Sequence, residues 1–313
     1  MKALVTGVAG FIGSTLADRL LDDGAEVLGI DCFTDYYPRA IKESNLSTLA
    51  NRDKFRFVEA RVQDTDLREA LNGCTHVFHL AAQAGVRKSW GRDFAVYTSN
   101  NIEATQVLLE ACTRVKLDKL VYASSSSVYG DRVSMPMRED ALPQPVSPYG
   151  VSKLAAEQLC CLYHANYGVP TVSLRYFTVY GPRQRPDMGF HKFLRATLRH
   201  EPITLHGDGE QTRDFTFVAD AVSAAVAAGL RGVPGRVYNI GGGSRVSLKQ
   251  ALDVIGRVAG RQPIVTTDSE QKGDMRHTHA DTRLARTDLG FAPTVALEEG
   301  LAAEYRWLAA TLT

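Results

Sequence analysis

Tyr149 and Lys153 stand four residues apart, directly after Ser147 and Pro148. Ser147 suits a helix N-cap, and Pro148 suits the first helical position, where its missing N–H costs nothing. Leu154, Ala155, Leu159, Cys160, Leu162 and Tyr163 then recur with helical spacing, which predicts the phenol and the ammonium one turn apart on one face. A free tyrosine, with a pKa of about 10, is a poor base at neutral pH, and a neighbouring positive charge favours its ionised form. Upstream, the apolar run Val121-Tyr122-Ala123 opens into Ser124, Ser125, Ser126 and Ser127. A base for a hydroxyl proton and a donor to hold the oxygen are what oxidation of an alcohol by hydride transfer needs.

These groups need a frame. Residues 2 to 6 form a short apolar run, followed by Gly7-Val8-Ala9-Gly10-Phe11-Ile12-Gly13 and a helical pattern through Leu16, Ala17, Leu20 and Leu21. In a strand–turn–helix context, the first glycine makes the turn and the second lets backbone approach a pyrophosphate. The third packs helix on strand, with the helix N-terminus facing the phosphates. A second strand pattern, Glu26 to Ile30, ends in Asp31. A carboxylate there accepts from the adenosine ribose hydroxyls and repels a 2′-phosphate, and Cys32 and Phe33 follow it without an adjacent cation, so the expected cofactor is NAD.

Strand and helix patterns continue to alternate: strands over 55–58, 76–80, 119–123 and 171–176, a short helix over 66–71 and a long one over 94–115. This predicts a mostly parallel sheet with helices on both faces and ligands at the strands' carboxyl ends. Beyond 178 the alternation loosens. After a helix near 191–198, a helix over 219–230 and a strand over 237–240 return to the first domain, while the helix 248–258, the strand 264–266 and two terminal helices suggest a smaller second domain sharing a cleft with the first.

The bulk numbers narrow the classes. With 313 residues, 44% apolar, 23% charged and a net charge of +1, the chain is an ordinary globular protein without a global field for nucleic acid or an anionic membrane. Five cysteines without a C-x-x-C pair argue for a reducing compartment, and the eight histidines show no metal-ligand spacing. No apolar run approaches the ~20 residues that span a bilayer, nor does the N-terminus read as a signal peptide. The expectation is a cytoplasmic protein with no metal, no nucleic acid and no membrane partner.

The Gly7/Gly10/Gly13 turn, Asp31, His79-Leu80-Ala81-Ala82, Ser125, Tyr149-x-x-x-Lys153 and Gly207-Asp208-Gly209-x-Gln211-x-Arg213-Asp214-Phe215 together resemble the extended short-chain dehydrogenase/reductases that act on nucleotide sugars. The resemblance covers essentially the whole chain and is most specific to the UDP-glucuronate 4-epimerases. It implies an α/β fold, a Rossmann-type doubly wound parallel sheet with a smaller α/β C-terminal substrate domain. Residues 1–178 plus about 214–241 would form the NAD domain, and about 179–213 plus 242–313 the nucleotide-sugar domain. Tyr149 would take the proton of the sugar 4-hydroxyl while hydride passes to NAD, and the 4-keto sugar would turn over before hydride returns to its other face. Lys153 would hold the nicotinamide ribose and lower the pKa of Tyr149, and Ser125 would hold the reacting oxygen. Cofactor contacts implied are Gly7, Gly10, Phe11, Ile12, Gly13, Asp31, Val62, Leu80, Ala81, Ala82, Asn101, Tyr149 and Lys153.

Substrate contacts implied are Arg87, Ser126, Ser127, Thr178, Arg185, Arg213 and Asp274. Related 4,6-dehydratases carry Asp and Glu where this chain has Ser126 and Ser127, and the decarboxylases carry a Glu at the second, so dehydration and decarboxylation are disfavoured. Thr178 replaces the Asn of UDP-glucose 4-epimerases, and with the two serines it would surround a C6 carboxylate. Arg213 and Arg185 would take the diphosphate, and Asp274, in Lys272-Gly273-Asp274, the uridine ribose. The arginine often found just before it is absent, which makes Arg276 the candidate substitute. Arg61 stands where relatives place an Asp near the adenine, and His79 reads as a strand-end structural residue. The leading expectation is 4-epimerisation of UDP-glucuronate. The alternatives are the same reaction on UDP-glucose or UDP-N-acetylglucosamine and, from another class, a non-catalytic NAD-sensing regulator. Relatives pair through the helices at 93–115 and 149–167, so a homodimer is expected.

Overall fold

The computed structural model describes residues 1–268 and 273–312; Lys272, named above with Asp274, lies outside them. Six strands follow in order: β1 (Lys2–Thr6), β2 (Glu26–Asp31), β3 (Phe55–Glu59), β4 (His76–His79), β5 (Lys119–Ser125) and β6 (Thr171–Tyr176). With Val237–Ile240 they form one sheet, in the order Val237–Ile240, β6, β5, β4, β1, β2, β3, parallel at every pairing. β1 is the switch strand: Thr6 pairs with Ile30 on one side and His79 on the other.

Alternating side chains bury both faces of this sheet. From β1, Ala3 and Val5 enter a core with Leu16 and Leu20 of the Phe11–Asp22 helix and Val222 and Ala225 of the Val218–Arg231 helix. Leu4 enters the opposite core, with Leu108, Leu109, Ala156 and Cys160. The Pro148–Tyr167 helix carrying Tyr149 and Lys153 belongs to that second face, and Ser147 caps it by accepting from the Gly150 N–H at 3.1 Å.

The helices Gly189–Arg199, Leu248–Ala259 and Leu297–Leu312 enclose a third core with Tyr180, Leu194, Phe215, Ile255 and Leu301. Phe190 and Phe215 stack there at 4.4 Å between centroids. Ile203–His206 pairs with Val265–Asp268, the strand expected at 264–266. Asp214 fastens this layer to the sheet, accepting from Gly242 N–H at 2.7 Å and Ala280 N–H at 3.0 Å.

Two elements differ from expectation. The helix expected over 94–115 is Phe94–Tyr97, a π-helical stretch Thr98–Glu103, and Ala104–Cys112. The wide turn aims Asn101 sideways, where its amide bonds the Gln83 N–H and carbonyl and the Ser152 hydroxyl. A helix at Arg39–Leu46 was not expected, because the residues it buries are Lys42, Asn45 and Leu46, which carry no apolar period.

Candidate active site

A cleft of about 950 Å³ opens at the carboxyl ends of the strands, on both sides of β1. At its floor Gly7 has φ +72°, and a methyl there would stand 2.7 Å from Ala81 N. A methyl at Gly13 would stand 2.1 Å from the Gly7 carbonyl oxygen, whereas one at Gly10 would meet only that oxygen, at 3.1 Å. Gly7 and Gly13 are therefore needed by the protein's own packing, while Gly10 leaves its open side to the cleft. The helix behind begins at Phe11 with no side chain capping its N-terminus. Asp31 accepts from Ala9 N–H at 3.1 Å and Phe33 N–H at 2.9 Å, which fixes its carboxyl at the cleft wall. Burial raises its pKa, opposed by those bonds and by Lys42. An uncapped helix start, an open glycine and an oriented acid at the end of β2 fit a dinucleotide.

Tyr149 shares the cleft wall with Ser125 and packs edge-on against Tyr97, whose hydroxyl is anchored on the Ala84 and Gly85 carbonyls. The Ser125 oxygen already accepts from Ser127 N–H at 3.1 Å, which leaves its hydroxyl proton to donate into the cleft. Burial raises the Tyr149 pKa, and the Ser125 hydroxyl and the Arg185 charge lower it. The lowering influence expected of Lys153 thus comes here from Ser125 and Arg185. Lys153 is buried with its amine 4.6 Å from the Tyr122 ring centroid, and burial draws its pKa down to about 8, with Cys160 and Glu157 acting the other way. His79 is enclosed: its Nδ1 meets the Thr6 hydroxyl at 2.7 Å and its Nε2 the Thr105 hydroxyl at 2.9 Å. Since Thr105 donates to the Asn101 carbonyl, Nε2 carries the proton; burial holds the ring's pKa down at about 3.

Every residue expected at the site lines this cleft except Asn101, which is buried behind the wall and spends its amide on Gln83 and Ser152. Ser126, Ser127 and Thr178 also line a side pocket of about 150 Å³, shared with Arg213 and Asp274. Arg185 forks onto Asp187 at 3.0 Å through two nitrogens, and Tyr36 donates to the same carboxylate at 3.2 Å. Arg87 bridges to Asp274 at 2.8 Å, and Arg276 to Asp208 at 2.6 Å. Burial lowers the Arg213 pKa, opposed by Asp274 and Asp131.

Lys42, Tyr36 and Asp187 were missed. Lys42 lies within electrostatic reach of Asp31 and donates to the Thr34 carbonyl at 2.7 Å, so a cation does stand beside that carboxyl although none adjoins it in sequence. Its only signal was a lysine eleven residues after Asp31. Arg61 lines the cleft and donates to the Ser99 hydroxyl at 2.8 Å.

A doubly wound parallel sheet with this glycine turn at its switch strand defines a dinucleotide-binding α/β protein. More narrowly, the chain belongs to the NAD dependent epimerase/dehydratase family, whose model matches residues 3–241. It is 42% identical over 310 residues to an uncharacterised UDP-glucose epimerase, YtcB, of Bacillus subtilis (strain 168), with 98% of each chain covered. It is 37% identical over 309 residues to a UDP-glucuronate 4-epimerase of Thermodesulfobacterium geofontis (strain OPF15), covering 97% of this chain and 95% of that one. A crystal structure of UDP-glucuronic acid 4-epimerase from Bacillus cereus, in complex with UDP-glucuronic acid and NAD, matches with a TM-score of 0.96 and 45% identity, over 99% of this chain and all of the other.

Proposed function

We propose that this chain is an NAD-dependent enzyme that interconverts UDP-glucuronic acid and UDP-galacturonic acid by inverting C4 through a 4-keto sugar. NAD, when bound, supplies a reversible hydride acceptor. Tyr149 takes the proton of the 4-hydroxyl and returns one after the sugar has turned, and Ser125 donates to the same oxygen throughout. Lys153, as an ammonium, holds the nicotinamide ribose, and Asp31 accepts from the adenosine ribose. Phe11, Ile12, Val62, Leu80, Ala81 and Ala82 wall the cofactor site. Arg213 and Arg185 take diphosphate oxygens, Arg87 stands beside them, and Asp274 takes the uridine ribose. Residues 1–178 plus about 214–241 form the cofactor domain, and about 179–213 plus 242–313 the sugar-nucleotide domain.

The observation that carries the substrate is the set of neutral hydroxyls at Ser126, Ser127 and Thr178, which line both the main cleft that holds Tyr149 and its side pocket. Hydroxyl donors hold a C6 carboxylate with charge-assisted bonds, where acidic side chains would repel it. UDP-glucose is the second reading, favoured by the 42% identity to a protein named for that sugar.

The protein is further proposed to work in the cytoplasm, without nucleic acid. Among the described residues no helix is long and apolar enough to cross a membrane, and no three His, Cys, Asp or Glu are grouped to hold a metal. A homodimer through the helices at 93–115 and 149–167 is supported by the exposed Val96, Val151 and Leu162 within those spans. The deciding experiment incubates the protein separately with UDP-glucuronate, UDP-glucose and UDP-N-acetylglucosamine, without added cofactor, and follows product stereochemistry by proton NMR. Axial 4-hydroxyl product from UDP-glucuronate supports the reading, and equal turnover of UDP-glucose sinks the role given to the hydroxyls. No turnover of any of the three supports the non-catalytic NAD-sensing regulator.

A further inference from the structure

Glu157 lies on the helix of Tyr149 and Lys153, two turns after the tyrosine and one after the lysine, and is fully buried. Two strands meet it. From β5 the Ser124 hydroxyl donates to Oε2 at 2.6 Å. From β6, Arg175 donates through Nε to Oε2 at 3.0 Å and through Nη2 to Oε1 at 2.6 Å. Ser124 immediately precedes Ser125, so one carboxylate joins the helix that presents the phenol to the strand end that presents its hydroxyl partner. Arg175 is itself held, 4.6 Å from the centroid of the Tyr129 ring, whose hydroxyl donates to Asn239 at 2.7 Å. A buried ion pair is a poor source of net stability, because desolvation offsets most of its attraction. It is a good source of geometry, because a bidentate fork plus a hydroxyl admits one arrangement.

We propose that Glu157 is a positioning residue, locking the helix of Tyr149 and Lys153 to the serine end of β5 so that phenol, ammonium and Ser125 hydroxyl keep one constellation. The proposal rests on reading those three as the reacting set. Glu157 acts through Ser124 and Lys153 and reaches the cleft through them.

Its charge has a second consequence. Facing the Lys153 amine are Tyr122 from β5 and His79 from β4, with Tyr149, Glu157 and Cys160 on its own helix. Burial holds His79 neutral, with a pKa of about 3, and raises the Tyr122, Tyr149 and Cys160 pKa values above their ordinary ranges. Glu157 is thus the carboxylate that opposes the desolvation of Lys153. Without it, Lys153 gives up its proton at lower pH.

The test compares Glu157→Gln with Glu157→Gln/Arg175→Met, which removes both charges should the lone guanidinium unfold the single variant. Equilibrium dialysis of the full chain against labelled NAD, from pH 6.5 to 10, locates the pH above which affinity falls. In either folded variant this limit is expected to move down by about one pH unit, and kcat at pH 7 to fall about tenfold with KM little changed. Ser124→Ala removes one hydroxyl, and is expected to lower kcat roughly three- to tenfold while leaving the pH limit in place; it decides the case if neither Glu157 variant folds. A folded Glu157 variant with an unmoved limit, or an unchanged kcat in Ser124→Ala, overturns the proposal. A shifted limit in a chain whose parent turns over no UDP-sugar removes the proposed substrate and leaves the positioning of Lys153 standing.

Discussion

Gly10 and Gly13 make opposite predictions from the same turn. A methyl on Gly13 would sit 2.1 Å from the Gly7 carbonyl oxygen, and neither side can give way: Gly7 N–H is bonded to the Ile30 carbonyl at 2.8 Å and Gly7 already has φ +72°. Forced overpacking costs up to about 3 kcal/mol, and a backbone clash of this depth belongs at the upper end. With an unfolding entropy of about 2.1 cal/mol/K per residue over 313 residues, Gly13→Ala should lower Tm by roughly 4–5 °C. Gly10 has φ −77° and ψ 174°, which alanine adopts freely, and its methyl meets one oxygen at 3.1 Å. As a change at the helix N-cap, Gly10→Ala should therefore cost roughly 0.5–1 kcal/mol, about 1 °C and well short of the Gly13 effect. The same methyl points where a pyrophosphate would lie, so NAD affinity should fall at least about tenfold, equivalent to about 1.4 kcal/mol. Thermal melts with and without saturating NAD separate the two effects, because a bound ligand raises Tm by mass action. If Gly10→Ala melted as low as Gly13→Ala without NAD, or kept the full stabilisation by NAD, the cleft-facing role of Gly10 would be wrong.

Other substitutions test the remaining parts of the site. Tyr149→Phe removes the phenol hydroxyl from the cleft it shares with Ser125, and should cut kcat by about 10²- to 10⁴-fold while leaving NAD affinity within about twofold; dialysis and NMR turnover check both. Ser127→Glu sets a carboxylate beside the side pocket, and should raise KM for UDP-glucuronate about tenfold or more without weakening NAD; an unchanged KM would move the sugar carboxylate elsewhere. Glu304 is fully buried, with Oε2 accepting from Gly181 N–H at 2.8 Å, and burial raises its pKa to about 8. A folded pKa above the unfolded one contributes stability that is whole below pH 4.5 and is lost as pH rises through about 8. Glu304→Gln cannot titrate, so its Tm relative to the parent should improve between pH 5 and pH 9; parallel curves would refute the assignment.

What could be read from the sequence is what the chain places locally. The glycine turn, Asp31 at the end of β2, the serines at the end of β5, and Tyr149 with Lys153 each occupy a strand end or one helix turn, where spacing dictates position. Lys42 was missed, and Asn101 was expected in the cleft rather than behind its wall, each for a physical reason. Lys42 sits on a helix whose buried face is largely polar, so no apolar period announced it, and it reaches Asp31 through space. Asn101 sits in a π-helical turn that rotates it away from the direction an α-helix would give, toward Gln83 and Ser152. Glu157 and Arg175 were different, because a signal was present. Arg175 interrupts a strand whose residues are buried throughout, and a cation there needs an anion from the neighbouring layer. The layer over β6 includes the Tyr149 helix, where one carboxylate, Glu157, stands among residues 148–167. Pairing the two in sequence would have fixed the rotation of that helix over the sheet, and with it the side toward which Tyr149 and Lys153 must face.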